Sequence, residues 1–439
     1  MSAKLKAASM TSTKPLTSGS DAQLLKSWRM RIFVSTWLAY AGLYFCRKAF
    51  YVVKGTMGDE LNLDASALGE IGSAYLLCYS IGQFTAAGLG QKLGARVLLL
   101  VGIAGSIGAN VAFGFANNYW TLLSFMCVNG FAQATGWPCV VSTMGNWTRR
   151  KERGTLMGIW GTCYQVGGIA AKIWAAFWMA QQGWRGAFFA ASILVVVVWV
   201  VVLFWMRNNP TDVGLAPLEG EEAGGSSSKG SEEEASPWTR TLITNLALVG
   251  AFYFGVKFVR YALWSWTPYF LEKNFGLAGD EAGYLSTVFD AAGFAGVLCA
   301  GFLSDRLFGG KRTTISLLML VGMVGGCAIM YFFGGTSVLF FAISLGVVGF
   351  MLFGPDSLLT GAGAIEIGSP KIALAVAGII NGVGSIGSVL QEMIIPQVYE
   401  SNGGQNVEAV FQLLLIASCS SVGALTVVWI RNKRGYADL

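Results

Sequence analysis

Trp37-Leu38-Ala39-Tyr40-Ala41-Gly42-Leu43-Tyr44-Phe45-Cys46-Arg47-Lys48-Ala49-Phe50-Tyr51-Val52-Val53 is an apolar run interrupted by two adjacent cations. It sits in a stretch, 30–55, long enough to cross a hydrocarbon core of about 30 Å, which takes about 20 helical residues. A charge at the centre of a membrane helix costs at least about 2.5–3.5 kcal/mol, so Arg47 and Lys48 need a compensating partner. A bound anion is the simplest one.

The composition places this stretch in a membrane protein with many spans. Of 439 residues, 54% are hydrophobic and 12% charged, with 58 glycines and a mean hydropathy of +0.56. That is too apolar for a soluble chain of this length. Apolar runs at 30–55, 67–89, 96–115, 118–145, 154–181, 185–206, 241–272, 281–304, 313–334, 337–365, 371–398 and 408–430 predict twelve transmembrane helices. The net charge of +6 comes from basic residues in the short connections between spans, so the expected partner is the lipid bilayer and not nucleic acid. The eight cysteines lie inside apolar runs without ligand spacing. They read as small buried residues, and neither a metal nor another cofactor is expected.

Lys and Arg residues cluster on alternate connections, including Arg149, Arg150, Lys151, Arg153, Arg306, Lys311 and Arg312, whereas Asp59-Glu60 and Asp280-Glu281 mark the opposite side. The positive-inside bias predicts that both termini are cytoplasmic. Residues 1–29 read as an N-terminal tail without the features of a signal peptide. A six-helix bundle is expected at 30–207, a polar Gly/Ser/Glu-rich linker at 208–240, a second bundle at 241–430 and a tail at 431–439. The halves repeat: Gly90-Gln91-Lys92-Leu93-Gly94-Ala95-Arg96 follows the second span and Gly301 to Arg312 the eighth, while Tyr44-Phe45 precedes Arg47 as Tyr253-Phe254 precedes Lys257 and Arg260. Parallel six-helix repeats with a site at their interface are an established transporter plan. Internal duplication also favours a functional monomer.

Five cations, Arg47, Lys48, Lys172, Lys257 and Arg260, and three acids, Asp290, Asp356 and Glu392, are counted in the membrane interior, a sum of +2 that matches a phosphate dianion. Related by the repeat, Arg47 and Arg260 are expected to face one another, and two planar guanidiniums can clamp phosphate oxygens with charge-assisted hydrogen bonds. The opposing reading makes these cations structural partners of the acids. Lys172 and Asp290 lie at similar depth and are a candidate latch between the halves. Asp356 and Glu392 are candidate proton sites, although the chain has no histidine to relay protons. Tyr40, Tyr44, Tyr79, Trp137, Tyr164, Tyr261, Trp264 and Trp266 lie near the same depth, as packing residues or as sugar contacts. Gly167-Gly168 and the glycines at 382, 384 and 387 permit close helix approach.

Four stretches carry a family resemblance: Tyr44 to Phe50; Asn129-Gly130-Phe131 to Gly136-Trp137-Pro138; Lys151-Glu152-Arg153-Gly154 with Val166-Gly167-Gly168; and Arg260-Tyr261 to Trp266-Thr267-Pro268. Across about residues 30–430 the chain resembles the organophosphate:phosphate antiporters of the major facilitator superfamily. The resemblance implies a membrane transporter, not an enzyme. It implies that Arg47 and Arg260, with Lys48 beside them, bind phosphate, that Tyr44, Tyr79, Trp137 and Tyr164 line the cavity, and that a phosphate ester exchanges for inorganic phosphate by a rocker-switch motion. Tyr164 stands where glycerol-phosphate carriers have histidine, Gln83 where lysine is common, Gln91 where the loop motif has Asp, and Ser265 where an acid is expected. The added polarity of Lys257 and Asn381 favours a sugar phosphate such as glucose-6-phosphate. Two alternatives stand beside this reading: a hexose-phosphate sensor that transports little, and a proton-coupled organic-anion carrier. The family resemblance places the chain in a bacterial inner membrane.

Overall fold

The computed structural model describes residues 19–218, 239–306, 312–359, 373–401 and 407–434, and they are helical almost throughout. The outer parts of both predicted tails and most of the Gly/Ser/Glu linker, 219–238, lie outside the described residues. The helices are α1 (Gly19–Leu61), α2 (Ala65–Leu93), α3 (Ala95–Phe115), α4 (Tyr119–Gln133), α5 (Gly136–Trp147), α6 (Arg150–Trp160) and α7 (Thr162–Trp205), then α8 (Arg240–Phe275), α9 (Gly279–Leu285), α10 (Thr287–Arg306), α11 (Arg312–Phe333), α12 (Val338–Ser357), α13 (Ala373–Glu400) and α14 (Val407–Lys433).

Among the described residues, eight continuous helical stretches are long and apolar enough to cross a membrane, against twelve apolar runs in the sequence. Local causes account for much of the difference. The stretch from Leu156 to Trp205 is one helix by hydrogen bonding, yet it reverses at Gln182 and Gly183, where Gly183 adopts φ +71°, a backbone region that glycine enters without steric cost. The α4–α5 run is interrupted at Ala134-Thr135. Pro138 has no N–H to return to the Ala134 carbonyl, which weakens the turn there. In α1 the buried cations reduce apolarity. The first helix also starts eleven residues earlier and ends six later than its apolar run, because caps and flanking polar residues extend a helix beyond the part that hydropathy detects.

The first stretch of the predicted linker is ordered. Pro210–Val213 forms a 3₁₀ turn capped by Asn209, Asn208 accepts the Arg96 N–H at 2.7 Å, and Leu215 and Leu218 are buried on the N-terminal helices. Polarity marked this segment as linker, but two leucines suffice to dock it.

α1 and α8 run parallel, and their C-terminal ends meet where Lys273 bonds Asp59. We call that end of the bundle the far face, and the end carrying the α2–α3 and α5–α6 turns the terminal face. The N- and C-terminal sets of helices pack along three seams, α1 on α8, α2 on α13, and α7 on α9 and α10. Small residues bring these seams close: a Cβ on Gly283 would stand 2.8 Å from Val52 and 2.9 Å from Ala176.

The cores show where the halves are joined. One buried cluster unites the far-face parts of the N-terminal helices, such as Phe50, Ile71, Phe113 and Trp184, with the C-terminal helices. The terminal-face parts, including Ile32, Leu99, Val140 and Val202, form a separate core confined to the N-terminal set.

Gly167 shows how tightly α7 packs on α1: an added Cβ would lie 2.7 Å from the Ala41 Cα. Gly167→Val is expected to destabilise the protein by about 1–3 kcal/mol, the usual cost of overpacking. A lower thermal unfolding midpoint in detergent, with Gly145→Ala as a control at an uncrowded position, checks this.

Candidate functional site

Arg47 lies midway along α1 and is buried. Its Nε donates to the Tyr75 hydroxyl at 2.5 Å and to Gln133 Oε1 at 3.3 Å. Tyr75 in turn donates to Gln133 Oε1 at 2.9 Å. The guanidinium also sits 4.7–5.4 Å from the ring centres of Tyr79, Tyr44 and Tyr75. Every one of these groups is neutral, so Arg47 is oriented but its charge is not cancelled.

A polar relay behind Gln133 explains why it holds its place. Its Nε2 donates to Ser106 Oγ at 3.2 Å and to Asn129 Oδ1 at 3.1 Å, and Asn129 anchors itself to the Cys46 carbonyl at 3.0 Å. Gly130 then lets α4 touch α2, since a Cβ there would lie 2.5 Å from the Tyr75 carbonyl. The Asn129-Gly130 pair thus acts on Arg47 at one remove.

Lys48 is fully buried, and its ammonium has no hydrogen-bond partner. It rests 3.4 Å from the ring centre of Trp264 on α8. The same indole ring lies 4.2 Å from the Arg260 guanidinium, and its N–H donates to Asp290 Oδ1 at 2.6 Å. Trp264 therefore links cations from both halves through its π-face and an anion through its edge. Arg260 also stacks on Phe353 at 4.6 Å and forms an ion pair with Asp356.

That ion pair revises the expected clamp. Arg260 was expected to hold phosphate directly opposite Arg47; in this state Asp356 holds it, because a cation on a buried helix takes the one carboxylate that the neighbouring helix α12 supplies. Lys172 pairs with Asp290 at 2.8 Å across the α7–α10 seam and donates to the Ser286 carbonyl at 3.1 Å. Lys257 is held by Asn381 Oδ1 at 2.8 Å and Ser385 Oγ at 3.2 Å, within the C-terminal half.

The interior charge count also needs correction. Lys54 is a sixth buried cation, completely enclosed, and it bonds Glu392 at 3.0 Å and Ser265 Oγ at 2.6 Å. The apolar run ends at residue 55, so Lys54 read as a boundary residue, whereas α1 continues to Leu61. Its spacing of six residues from Lys48, with apolar Val52-Val53 between, was the available signal. With Lys54 included the interior sum is +3. Asp290, Asp356 and Glu392 each make a salt-bridge contact with one of these cations; Asp290 also acts electrostatically on Lys48, and Asp356 on Lys257, without such a contact.

Aromatic side chains extend from Arg47 toward the terminal face: Tyr44 meets Tyr40 at 5.9 Å, Tyr40 meets Trp137 at 5.5 Å, and Trp137 meets Trp160 at 5.9 Å between ring centres. Trp137 is 41% exposed, while Tyr79 and Tyr164 are half-buried. On the C-terminal side Tyr261 packs on Trp264 at 5.2 Å. Among the described residues no group of His, Cys, Asp or Glu side chains could hold a metal ion.

Toward the far face, bonds between the halves multiply. Lys54–Glu392 is joined by Thr56–Glu272 at 3.2 Å, by Lys273–Asp59, and by Glu400, which accepts Ala65 N–H at 2.8 Å and Ser66 Oγ–H at 2.7 Å.

Comparison with known proteins accords with this geometry. The model of the Major Facilitator Superfamily matches residues 36–431. The "Probable hexose phosphate transport protein" of Chlamydia pneumoniae is 28% identical over 417 residues, 91% of this chain and 90% of that protein. "Sugar phosphate exchanger 3" of Homo sapiens is 27% identical, covering 89% of this chain and 91% of that one. "Membrane sensor protein UhpC" of Escherichia coli is 26% identical, covering 85% and 87%. In the solved structures, a bacterial homologue of the human lysosomal transporter Spinster, in an inward-facing and unoccupied conformation, superposes with a TM-score of 0.69 at 17% identity, over 92% of this chain and 95% of that one, which shows the shared fold. The chain belongs to the Major Facilitator Superfamily and, within it, to the organophosphate:phosphate antiporter family. It is a multi-pass integral membrane protein and not an enzyme.

Removing one member of a buried ion pair leaves the other charge uncompensated, at a cost of about 3–5 kcal/mol. Lys54→Met alone is expected to lose that much stability, and Lys54→Met with Glu392→Met to recover most of it. Chemical unfolding of both variants in detergent checks the pair.

Proposed function

We propose that this protein exchanges a phosphate ester, a sugar phosphate such as glucose-6-phosphate, for inorganic phosphate across a membrane by alternating access. The observation that carries this reading is the pair Arg47 and Lys48 at the seam between the two halves: neutral groups hold Arg47, and the Trp264 ring on which Lys48 rests also carries Arg260. The relatives named as a hexose phosphate transport protein and a sugar phosphate exchanger support the substrate class and the exchange.

In this reading the helices make twelve crossings: α4 with α5, α6 with the first part of α7, and α9 with α10 each count as one, and the second part of α7 as another. Both termini lie in the cytoplasm, the cell membrane is the bacterial inner membrane, and a single chain suffices. We take this state to be inward-facing: among the described residues, the hydrogen bonds and ion pairs between the halves run from mid-depth to the far face. Phosphate entering from the terminal face meets Arg47 and Lys48 first. Its charge then competes with Asp356 for Arg260, and capturing Arg260 draws the halves together around the anion. Tyr44, Tyr79, Trp137 and Tyr164 flank the sugar, and Lys257 with Asn381 presents polar groups from the opposite half. As the terminal face closes, the far-face bonds of Lys54, Lys273 and Glu400 open, and the Lys172–Asp290 latch releases. Closing without an anion would enclose uncompensated cations, so the empty carrier seldom crosses and exchange is enforced.

The test is uptake of radiolabelled phosphate into proteoliposomes loaded with phosphate, glucose-6-phosphate, glycerol-3-phosphate or nothing. Uptake should need an internal load. Arg47→Ala and Arg260→Ala should each weaken apparent affinity about 10- to 100-fold, the worth of a charge-assisted hydrogen bond. Fast uptake into empty vesicles would exclude exchange. The sensor relative gives the contrary result a definite meaning: arginine-dependent ester binding without exchange under any load would make this protein a receptor.

A further inference from the structure

A cavity lies away from the central seam. It measures about 760 Å³ and opens at the terminal face between the start of α1, the end of α5 and the start of α6. Its walls are mainly apolar, with Leu25, Ile32, Phe33, Met144 and Leu156 contributing. Lys26, Arg29 and Arg149 also line it; among the described residues no acidic side chain does, and Glu152 stands behind, paired with Arg29 and accepting the Arg149 N–H at 3.1 Å. Lys26 and Arg149 are exposed, while Arg29 is half-buried and held by Glu152. Just behind, Arg31 and Arg207 lie 5.0 and 5.3 Å from the Trp28 ring centre, and Trp28 packs on Trp147 at 6.4 Å.

We propose that this cavity binds one anionic phospholipid, its phosphate on Lys26 and Arg149 and an acyl chain laid in the apolar groove between α1 and α6. The lining selects this occupant. A free sugar phosphate would leave its hydroxyls against leucine, isoleucine and methionine without hydrogen-bond partners. A zwitterionic lipid would set its own cation against three others. An anionic lipid satisfies both ends, since basic pockets beside membrane helices suit anionic headgroups and each buried methylene contributes about 0.8 kcal/mol. Tryptophans are also the side chains favoured at the headgroup level. The site lies on the α5–α6 turn, between α5, which bears Trp137, and α6, which leads into α7 with Tyr164 and Lys172, so an occupant there braces two walls of the central site.

The experiment is native mass spectrometry of the detergent-purified full chain titrated with phosphatidylglycerol or phosphatidylcholine of matched chains. One phosphatidylglycerol is expected to bind about 30-fold more tightly than further copies, at about 1 kcal/mol for each of two cations. Lys26→Gln with Arg149→Gln should abolish that preference. Met144→Trp, which fills the groove and changes no charge, should weaken the same binding event. Variants are compared after size-exclusion profiles matching the parent protein, and either variant alone decides the outcome if the other fails to fold. Equal binding of the two lipids, or retention of the preference in the tested variant, would overturn the proposal. Displacement of phosphatidylglycerol by millimolar glucose-6-phosphate in the Arg47→Ala background would also overturn it, assigning the cavity to soluble esters. Loss of exchange activity with lipid binding intact would count only against the transport reading.

Discussion

The structure depends on the cost of enclosing positive charge away from water. Six cations are buried in helices that also carry three buried acids, and the fold disposes of half of that charge through ion pairs. Each pair joins different helices: Lys54 on α1 to Glu392 on α13, Lys172 on α7 to Asp290 on α10, and Arg260 on α8 to Asp356 on α12. Two of them cross between the halves. In a low-dielectric interior such pairs add little net stability, yet breaking one is expensive. The two that cross between the halves lie on the seam that would have to open in the proposed exchange.

The remaining charge is handled differently. Arg47 is oriented by neutral oxygens and rings, and Lys48 by the face of an indole. These contacts fix geometry without cancelling charge, which is what a site for a dianion requires. Trp264 is the hinge of this arrangement: its faces meet cations from α1 and α8, and its N–H meets the carboxylate that fastens α7 to α10. A change in the charge at Lys48 is thus felt at the neighbouring Lys172–Asp290 pair.

Asp356 gives Arg260 a resting partner, a role that sequence reasoning weighed for the acids in general and did not assign to this pair. A ligand that takes Arg260 must be a stronger acceptor than one carboxylate, and a phosphate dianion with several oxygens meets that condition. In the proposed exchange, selectivity for phosphate over monovalent organic anions would come from this competition inside the site.

Much of the architecture was legible in the sequence because hydrophobic length and loop charge act locally. Apolar runs set the helices, and the Arg47-Lys48 pair marked buried charge in α1, whereas the break at Ala134-Thr135 inside the 118–145 run was not read. Neighbours on other helices could not be read in this way. Lys54 looked like a helix end because hydropathy fades two turns before α1 stops; Tyr75 and Gln133 looked like ordinary polar residues until α2 and α4 met beside Arg47; and residues 208–218 looked like linker until two leucines found a core. Sequence by itself determined that charge is buried and in which helices, since that follows from residues adjacent in the chain. Only the tertiary structure decided which charges pair and which stay open, because ion pairing depends on contacts between helices that lie far apart along the chain, from 96 residues for Arg260–Asp356 to 338 for Lys54–Glu392.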